Sequence, residues 1–193
     1  MLNNKNKIIS KSKTLGDQIS LNDLWPQERD IFIRPERLRY IRRLIKEDGC
    51  VFCKAALKNP KLDTLCVYQT TYSMVVLNKF PYNNGHVLVI PKKHKANIWD
   101  FSKKEYTDLM NLVRLTIEVI YEVYSCAGVN MGLNHGAVAG AGIPEHLHIH
   151  VIPRWQGDVN FFPLIADTKV IVESLEDSYK KIKKVFRKKI KEN

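Results

Sequence analysis

Apolar residues recur along this chain at two different periods, and the points where the period changes mark its elements. Residues 64–70 and 72–78 are rich in β-branched and aromatic side chains and predict two strands. Residues 80–85 (FPYNNG) have turn composition. They deliver the short continuous apolar run 86–91 (HVLVIP), which reads as a central strand. The period then lengthens. Ser102-Lys103-Lys104-Glu105 is a capping box and opens the longest predicted helix, to about residue 127, with Gly128 as its stop signal. Residues 129–134 return as a strand, and the small residues 136–142 (GAVAGAG) form a loop. Strict alternation follows from His146 to Val151. A last helix over about 170–190 places Val172, Leu175, Tyr179, Ile182, Phe186 and Ile190 three or four residues apart, with a basic opposite face. Upstream, Pro35 suits the first position of a helix to about residue 46, with Leu38, Ile41 and Ile45 on one stripe. Helix, strand meander, long helix and two further strands make an α+β pattern.

Composition narrows the classes. A chain of 193 residues, 45% hydrophobic, can build one core without staples. We divide it into a polar basic tail expected to be disordered (1–20), an arm and helix (21–49), a central domain (50–165) and a basic amphipathic helix (166–193). Lys and Arg outnumber Asp and Glu by 31 to 20, a formal charge of +11 that favours anionic partners such as nucleotides, nucleic acid or a membrane surface. A polyphosphate ligand would account for that charge. No stretch approaches the roughly 20 apolar residues of a membrane span, and the N-terminus lacks an apolar signal region, so a cytoplasmic place is expected. In that reducing setting, four cysteines point to metal or redox chemistry rather than structural bridges.

The alternation from residue 146 carries the chemistry. In an extended strand His146, His148 and His150 share one face while Leu147, Ile149 and Val151 pack into a core. Neutral imidazole is a nucleophile, a metal ligand or a general base near neutral pH. The loop 136–142 beside it lets a ligand approach the backbone, whose N–H groups can hold an anion. Together they read as a phosphate cradle with His148, the middle histidine, as nucleophile and His150 on the same phosphate. Cys50-x-x-Cys53 can bind zinc if two further ligands converge, and His94 is a fair third by chemistry. Cys66 and Cys126 lie in apolar contexts and read as inert core thiols. Trp155, Phe161 and Phe162 suit either base stacking or coverage of the core.

These motifs resemble the histidine-triad (HIT) family of nucleotidyl hydrolases and transferases. The likeness rests on His146-x-His148-x-His150-Val151-Ile152, and on Gly85-His86-Val87-Leu88-Val89-Ile90-Pro91-Lys92-Lys93-His94 upstream. Leu77-Asn78-x-x-Pro81-Tyr82-Asn83, the loop 136–143 and Gly157-Asp158-x-Asn160-Phe161 extend it toward the bacterial branch similar to diadenosine tetraphosphate phosphorylases. The resemblance implies an antiparallel sheet with a long helix and a homodimer whose sheets join across the two-fold. It implies nucleotidylation of His148 at the α-phosphate, His150 on phosphate, and His86 in support of the nucleophile. It also implies Asn78 at the ribose, and Asn134 with Gly140, Ala141 and Gly142 at the phosphates. For metal it implies zinc held by Cys50, Cys53, His94 and His146. Many members carry Gln followed by Ser or Thr before the triad strand, where this chain has Gly142-Ile143. We therefore expect backbone amides, or another group such as incoming phosphate, to take over there, with Arg154 and Lys92 as possible extra cations. The expected reaction converts diadenosine tetraphosphate and phosphate to ADP and ATP. The alternatives are hydrolysis of dinucleoside polyphosphates or nucleoside phosphoramidates, and a non-catalytic zinc-containing nucleotide- or RNA-binding module.

Overall fold

Side-chain parity along the strands builds the molecule in layers. In the computed structural model, which describes residues 49–57, 62–158 and 171–192, strands β1 (Cys66–Gln69), β2 (Ser73–Leu77), β3 (Val87–Pro91), β4 (Gly128–Gly132) and β5 (Ile149–Arg154) form one antiparallel sheet. Its order is β1-β2-β3-β5-β4, so the last strand in sequence lies between the third and the fourth. Odd-numbered Val75, Leu77, Val87, Val89, Ile149 and Val151 share a core cluster with two helices, α2 (Lys103–Tyr124) and α3 (Leu175–Glu192). Even-numbered Met74, Val76, Leu88 and Ile90 face the other way, against Phe52 and Ala55 of the short helix α1 (Val51–Ala56). Both faces of β2 and β3 are therefore buried, which is why, after Ser73, their sequences are continuous apolar runs.

The α+β reading and the antiparallel sheet stand. Helix α2 opens on the expected capping box: the Ser102 hydroxyl accepts from the Glu105 N–H at 3.3 Å, and the Glu105 carboxylate accepts from the Ser102 N–H at 2.9 Å. Its end differs from expectation. Ser125, at φ 44°, takes the left-handed cap position and donates its N–H to the Tyr121 carbonyl at 2.9 Å, whereas Gly128 already opens β4. Helix α3 starts at Leu175 rather than near 170, because the Ser174 hydroxyl accepts from the Asp177 N–H at 3.1 Å and fixes the helix start. Val172 is consequently outside the helix and exposed. The histidine strand also begins late: the ladder starts at Ile149, His148 lies just before it, and His146 sits at a bend and donates its N–H to the Ile143 carbonyl at 3.3 Å.

Gly85 shows how tightly the turn before β3 is packed. It has φ +72°, and a Cβ there would stand 2.4 Å from the Tyr124 ring. The expected basic tail, the 35–46 helix, Phe161 and Phe162 lie outside the described residues. Among the described residues no helix is long and apolar enough to cross a membrane.

Candidate active site and metal centre

Even parity brings the histidines to the sheet face that carries α1. His150 pairs with Leu88 of β3 and with Gly132 of β4. His146 and His148 are buried, and the Leu147 N–H donates to the Lys95 carbonyl at 2.8 Å, which continues the extended path upstream of the ladder. The loop carrying His94 is clamped from the helix side. Lys93 and Lys95 reach the Glu105 carboxylate at 2.6 and 3.4 Å, so the residue that caps α2 also anchors this loop. The Lys93 hydrogen bond, with those of the Ser102 N–H and hydroxyl, lowers the Glu105 carboxyl to about 2.

Hydrogen bonds assign a proton to each ring of the cluster, because a backbone carbonyl can only accept and a backbone N–H can only donate. His146 donates from Nε2 to the Pro91 carbonyl at 2.8 Å, leaving the Nδ1 lone pair to face the cysteines. His148 donates from Nδ1 to the His146 carbonyl at 2.9 Å, so its Nε2 is an unprotonated lone pair. His86 accepts at Nδ1 from the Tyr82 N–H at 3.1 Å, which puts its proton on Nε2, 2.9 Å from His150 Nδ1. His150 thus accepts at Nδ1 and carries its own proton on Nε2. One backbone N–H at Tyr82 sets the tautomers of two rings. Burial pushes the pKa of His146 and of His148 down. Burial and then the nearby His148 charge bring His150 to about 4. All three are neutral at pH 7, the form the tautomer assignment requires.

A second cluster stands at the N-terminal end of this run. Cys50 and Cys53 sit at the cap and in the first turn of α1, and their sulfurs lie 3.4 and 3.6 Å from His146 Nδ1. Cys53 is also 3.3 Å from His94 Nδ1. The four ligand atoms all lie within 4.8 Å of one another. A tetrahedral ion bound at about 2.3 Å to sulfur and 2.0–2.1 Å to nitrogen separates S from N by about 3.5 Å. The set fits that geometry and could hold a metal ion. Both expected constellations are assembled, then, and His146 belongs to each: its side chain to the metal set, its carbonyl to His148.

The remaining expected residues fall into place unevenly. The Asn78 amide lies 3.3 Å from His86 Nδ1, and its oxygen accepts from the Phe80 N–H at 2.9 Å, so it shapes the turn beside the histidine pair. Asn134 donates to the Gly140 carbonyl at 3.4 Å and ties the small-residue loop at its base. Within that loop the Gly140 N–H closes onto Ala137 at 3.0 Å and the Ala141 N–H onto Gly136 at 3.3 Å. These two donors are engaged internally, while the Gly142 N–H makes no hydrogen bond among the described residues. Arg154 and Lys92 do not serve as free cations. Arg154 forms a two-pronged pair with Asp158 at 2.6 and 2.7 Å, and Lys92 donates to the Thr70 carbonyl. Trp155 packs on the helix-side core with Tyr124, which settles it as a covering residue.

Two aromatic neighbours escaped the sequence reading. Phe52, between the two cysteines, has its ring 5.4 Å from His146 and 5.3 Å from His148. Tyr82 lies 4.7 Å from His86 and 5.8 Å, stacked, from His150. Their positions inside CVFC and PYNNGH were the available signal.

Comparison with known proteins agrees with this geometry. A family model described as HIT domain matches residues 59–157, a span that includes His94 and the triad and begins after the two cysteines. An AP-4-A phosphorylase of Mycobacterium tuberculosis is 44% identical over 103 residues, 53% of each chain. A bis(5'-nucleosyl)-tetraphosphatase [asymmetrical] of Schizosaccharomyces pombe is 40% identical over 91 residues, 47% of this chain and 50% of that one. The chain thus spans about half the length of these curated relatives. Among solved structures, a Zn-bound histidine triad family protein of Mycobacterium smegmatis shares the fold, with TM-score 0.60 and 23% identity over 75% of this chain and 98% of that one.

Proposed function

The chain belongs to the HIT domain family, and on that premise we propose that it is a nucleotidyl transferase acting on dinucleoside polyphosphates through His148. The carrying observation is the His148 Nδ1–H bond to the His146 carbonyl, which leaves Nε2 as the nucleophilic lone pair. In the proposed reaction Nε2 bonds to the α-phosphorus of diadenosine tetraphosphate while the anhydride P–O bond breaks and ATP departs. The ring becomes cationic, and the His146 carbonyl stabilises its Nδ1–H. An oxygen of inorganic phosphate then bonds to the same phosphorus, the P–N bond breaks, and ADP leaves with neutral His148 restored. His150 Nε2–H donates to a non-bridging oxygen throughout, its tautomer held by His86. Asn78, Asn134 and the backbone of Gly140, Ala141 and Gly142 are proposed to line the nucleotide, with only Gly142 offering an N–H toward phosphate.

Zinc is the ion we propose for Cys50, Cys53, His94 and His146, since two thiolates and two neutral imidazoles suit its tetrahedral preference. Its contribution would be structural: it would hold α1, the His94 loop and the residue whose carbonyl orients His148. Strand β4, at the sheet edge with Met131 half exposed, is where we propose a second copy pairs to form a homodimer.

One observation supports a second reading, with water as acceptor. Two loop amides expected to hold a phosphate, those of Gly140 and Ala141, are closed in turns. Incubation of the protein with diadenosine tetraphosphate, with and without millimolar phosphate, separates the readings. ADP plus ATP formed at a rate that rises with phosphate supports the transferase. AMP plus ATP, indifferent to phosphate, assigns hydrolysis, and no consumption of the dinucleotide overturns both.

A further inference from the structure

Among the described residues, positive charge is concentrated away from the histidines. Helix α3 carries eight Lys and Arg against three acids, a net of +5 out of the chain's +11. It packs on the sheet face opposite the histidines, so the nucleotide site does not account for this charge, contrary to the expectation from composition. The apolar stripe of α3 is already used: Tyr179, Ile182 and Phe186 are buried in the core, and Phe186 stacks on Tyr68 at 5.0 Å. What faces outward is a groove of about 590 Å³ walled by Lys180, Lys183, Lys184, Arg187, Lys188 and Lys191 over Tyr179.

This row works against the helix that carries it. Lys180 and Lys184, Lys184 and Lys188, and Arg187 and Lys191 are like charges four residues apart, each pair destabilising by a few tenths of a kcal/mol. Lys180 and Lys188 have acidic partners, Glu176 at 2.6 Å and Glu122 at 2.9 Å. Lys184, Arg187 and Lys191 are exposed and make no ion pair among the described residues. They lie three and four residues apart, on one stripe. From Lys180 to Lys191 the row is about 16 Å long at 1.5 Å per residue. That length matches roughly five phosphates of a strand rising about 3.4 Å per nucleotide.

We infer that the outer face of α3 binds the phosphate backbone of a nucleic-acid strand, independently of the histidine site. A linear row of cations complements a linear polyanion. A membrane is the poorer fit, because an interfacial helix inserts its apolar face and here that face is buried in the core. The contacts are to phosphate alone, so binding is indifferent to base sequence and falls steeply with salt.

The test uses the full chain, a fluorescent 20-nucleotide RNA and its DNA counterpart, with anisotropy read across a salt series. A Lys184→Gln/Arg187→Gln/Lys191→Gln variant, its helix content checked by circular dichroism, should bind about tenfold more weakly. Its slope of log affinity against log salt should be shallower by about two, three contacts at about 0.7 each. Dinucleotide turnover should be unchanged in the same variant. Absence of binding to either strand at low salt overturns the inference, as does an unaltered slope in the folded variant. So does sedimentation with phosphatidylserine vesicles by a protein that ignores both nucleic acids.

Discussion

The two faces of the sheet are built on opposite principles. On the helix side, Val75, Leu77, Val87, Val89, Ile149 and Val151 meet α2 and α3 through aliphatic and aromatic carbon, and the few buried polar groups, Thr116 and Ser178, are hydroxyls with an acceptor at hand. On the other side, His86, His146 and His148 are as deeply buried as that core, yet each has a ring nitrogen tied by a bond that defines its proton. The first face is tolerant in kind: shape and volume decide, and any well-packed hydrophobe serves. The second is intolerant in kind, since a buried polar group without its partner costs about 1–3 kcal/mol and also loses its tautomer. The comparison teaches that burial is common to both, while hydrogen-bond direction is what separates a core from a site.

Removing the proposed nucleophile should break the contrast most sharply. We predict that His148→Ala lowers turnover by about 10⁴-fold or more while a melting curve shows the protein folded. Ordinary turnover would remove His148 from the chemistry. The converse change is Phe186→Ala, on the helix face. It should cost about 3–5 kcal/mol in denaturant unfolding, with turnover of the protein that remains folded unchanged. A third substitution, Cys50→Ser, sits at the seam. It should lose one equivalent of metal by elemental analysis and lower the melting temperature by several degrees, because the four ligands come from distant segments. Turnover should fall less than in His148→Ala, and metal retained in full would count against the cluster.

The smallest effect is in pH. His150 has a folded pKa of about 4, below the ordinary histidine value, so the unfolded chain binds its proton first as pH falls. Its contribution to stability is complete above about pH 6.5 and is lost progressively down to about pH 4. In His150→Asn that portion of the acid dependence should disappear from urea unfolding midpoints measured across the window. An identical pH profile in the two proteins would show that His150 is not held neutral.

Much of this contrast was legible in sequence, and what was not has a physical reason. The alternation of His146 to Val151 gave both faces at once, and the capping box located the start of α2. Of the four ligands, drawn from three segments, Cys50, Cys53 and His94 were nameable by chemistry and His146 only through family likeness, and the four do converge. The stop of α2 was misplaced because Ser125 adopts a conformation that glycine usually supplies, and no local signal marks that. Arg154 and Lys92 looked like free cations because their partners, Asp158 and the Thr70 carbonyl, depend on turns and pairings that composition does not encode. The whole-chain charge misled for a related reason: a sum has no position, and only the packing of α3 shows which side of the sheet carries that helix's +5.

Strand order has a consequence for time. Because β5 lies between β3 and β4, strand β4 has no neighbour in the sheet until residues some twenty positions later arrive. Closing β3 onto β5 joins Leu88 to His150 across 62 residues of chain, a loop whose entropy must be overcome before any ladder bond forms. The β1-β2-β3 meander and α2 draw on local contacts, and the bond from the Tyr82 N–H to His86 comes with them. The bond from His86 to His150 waits for β5, so the histidine cluster is joined only when the sheet is complete.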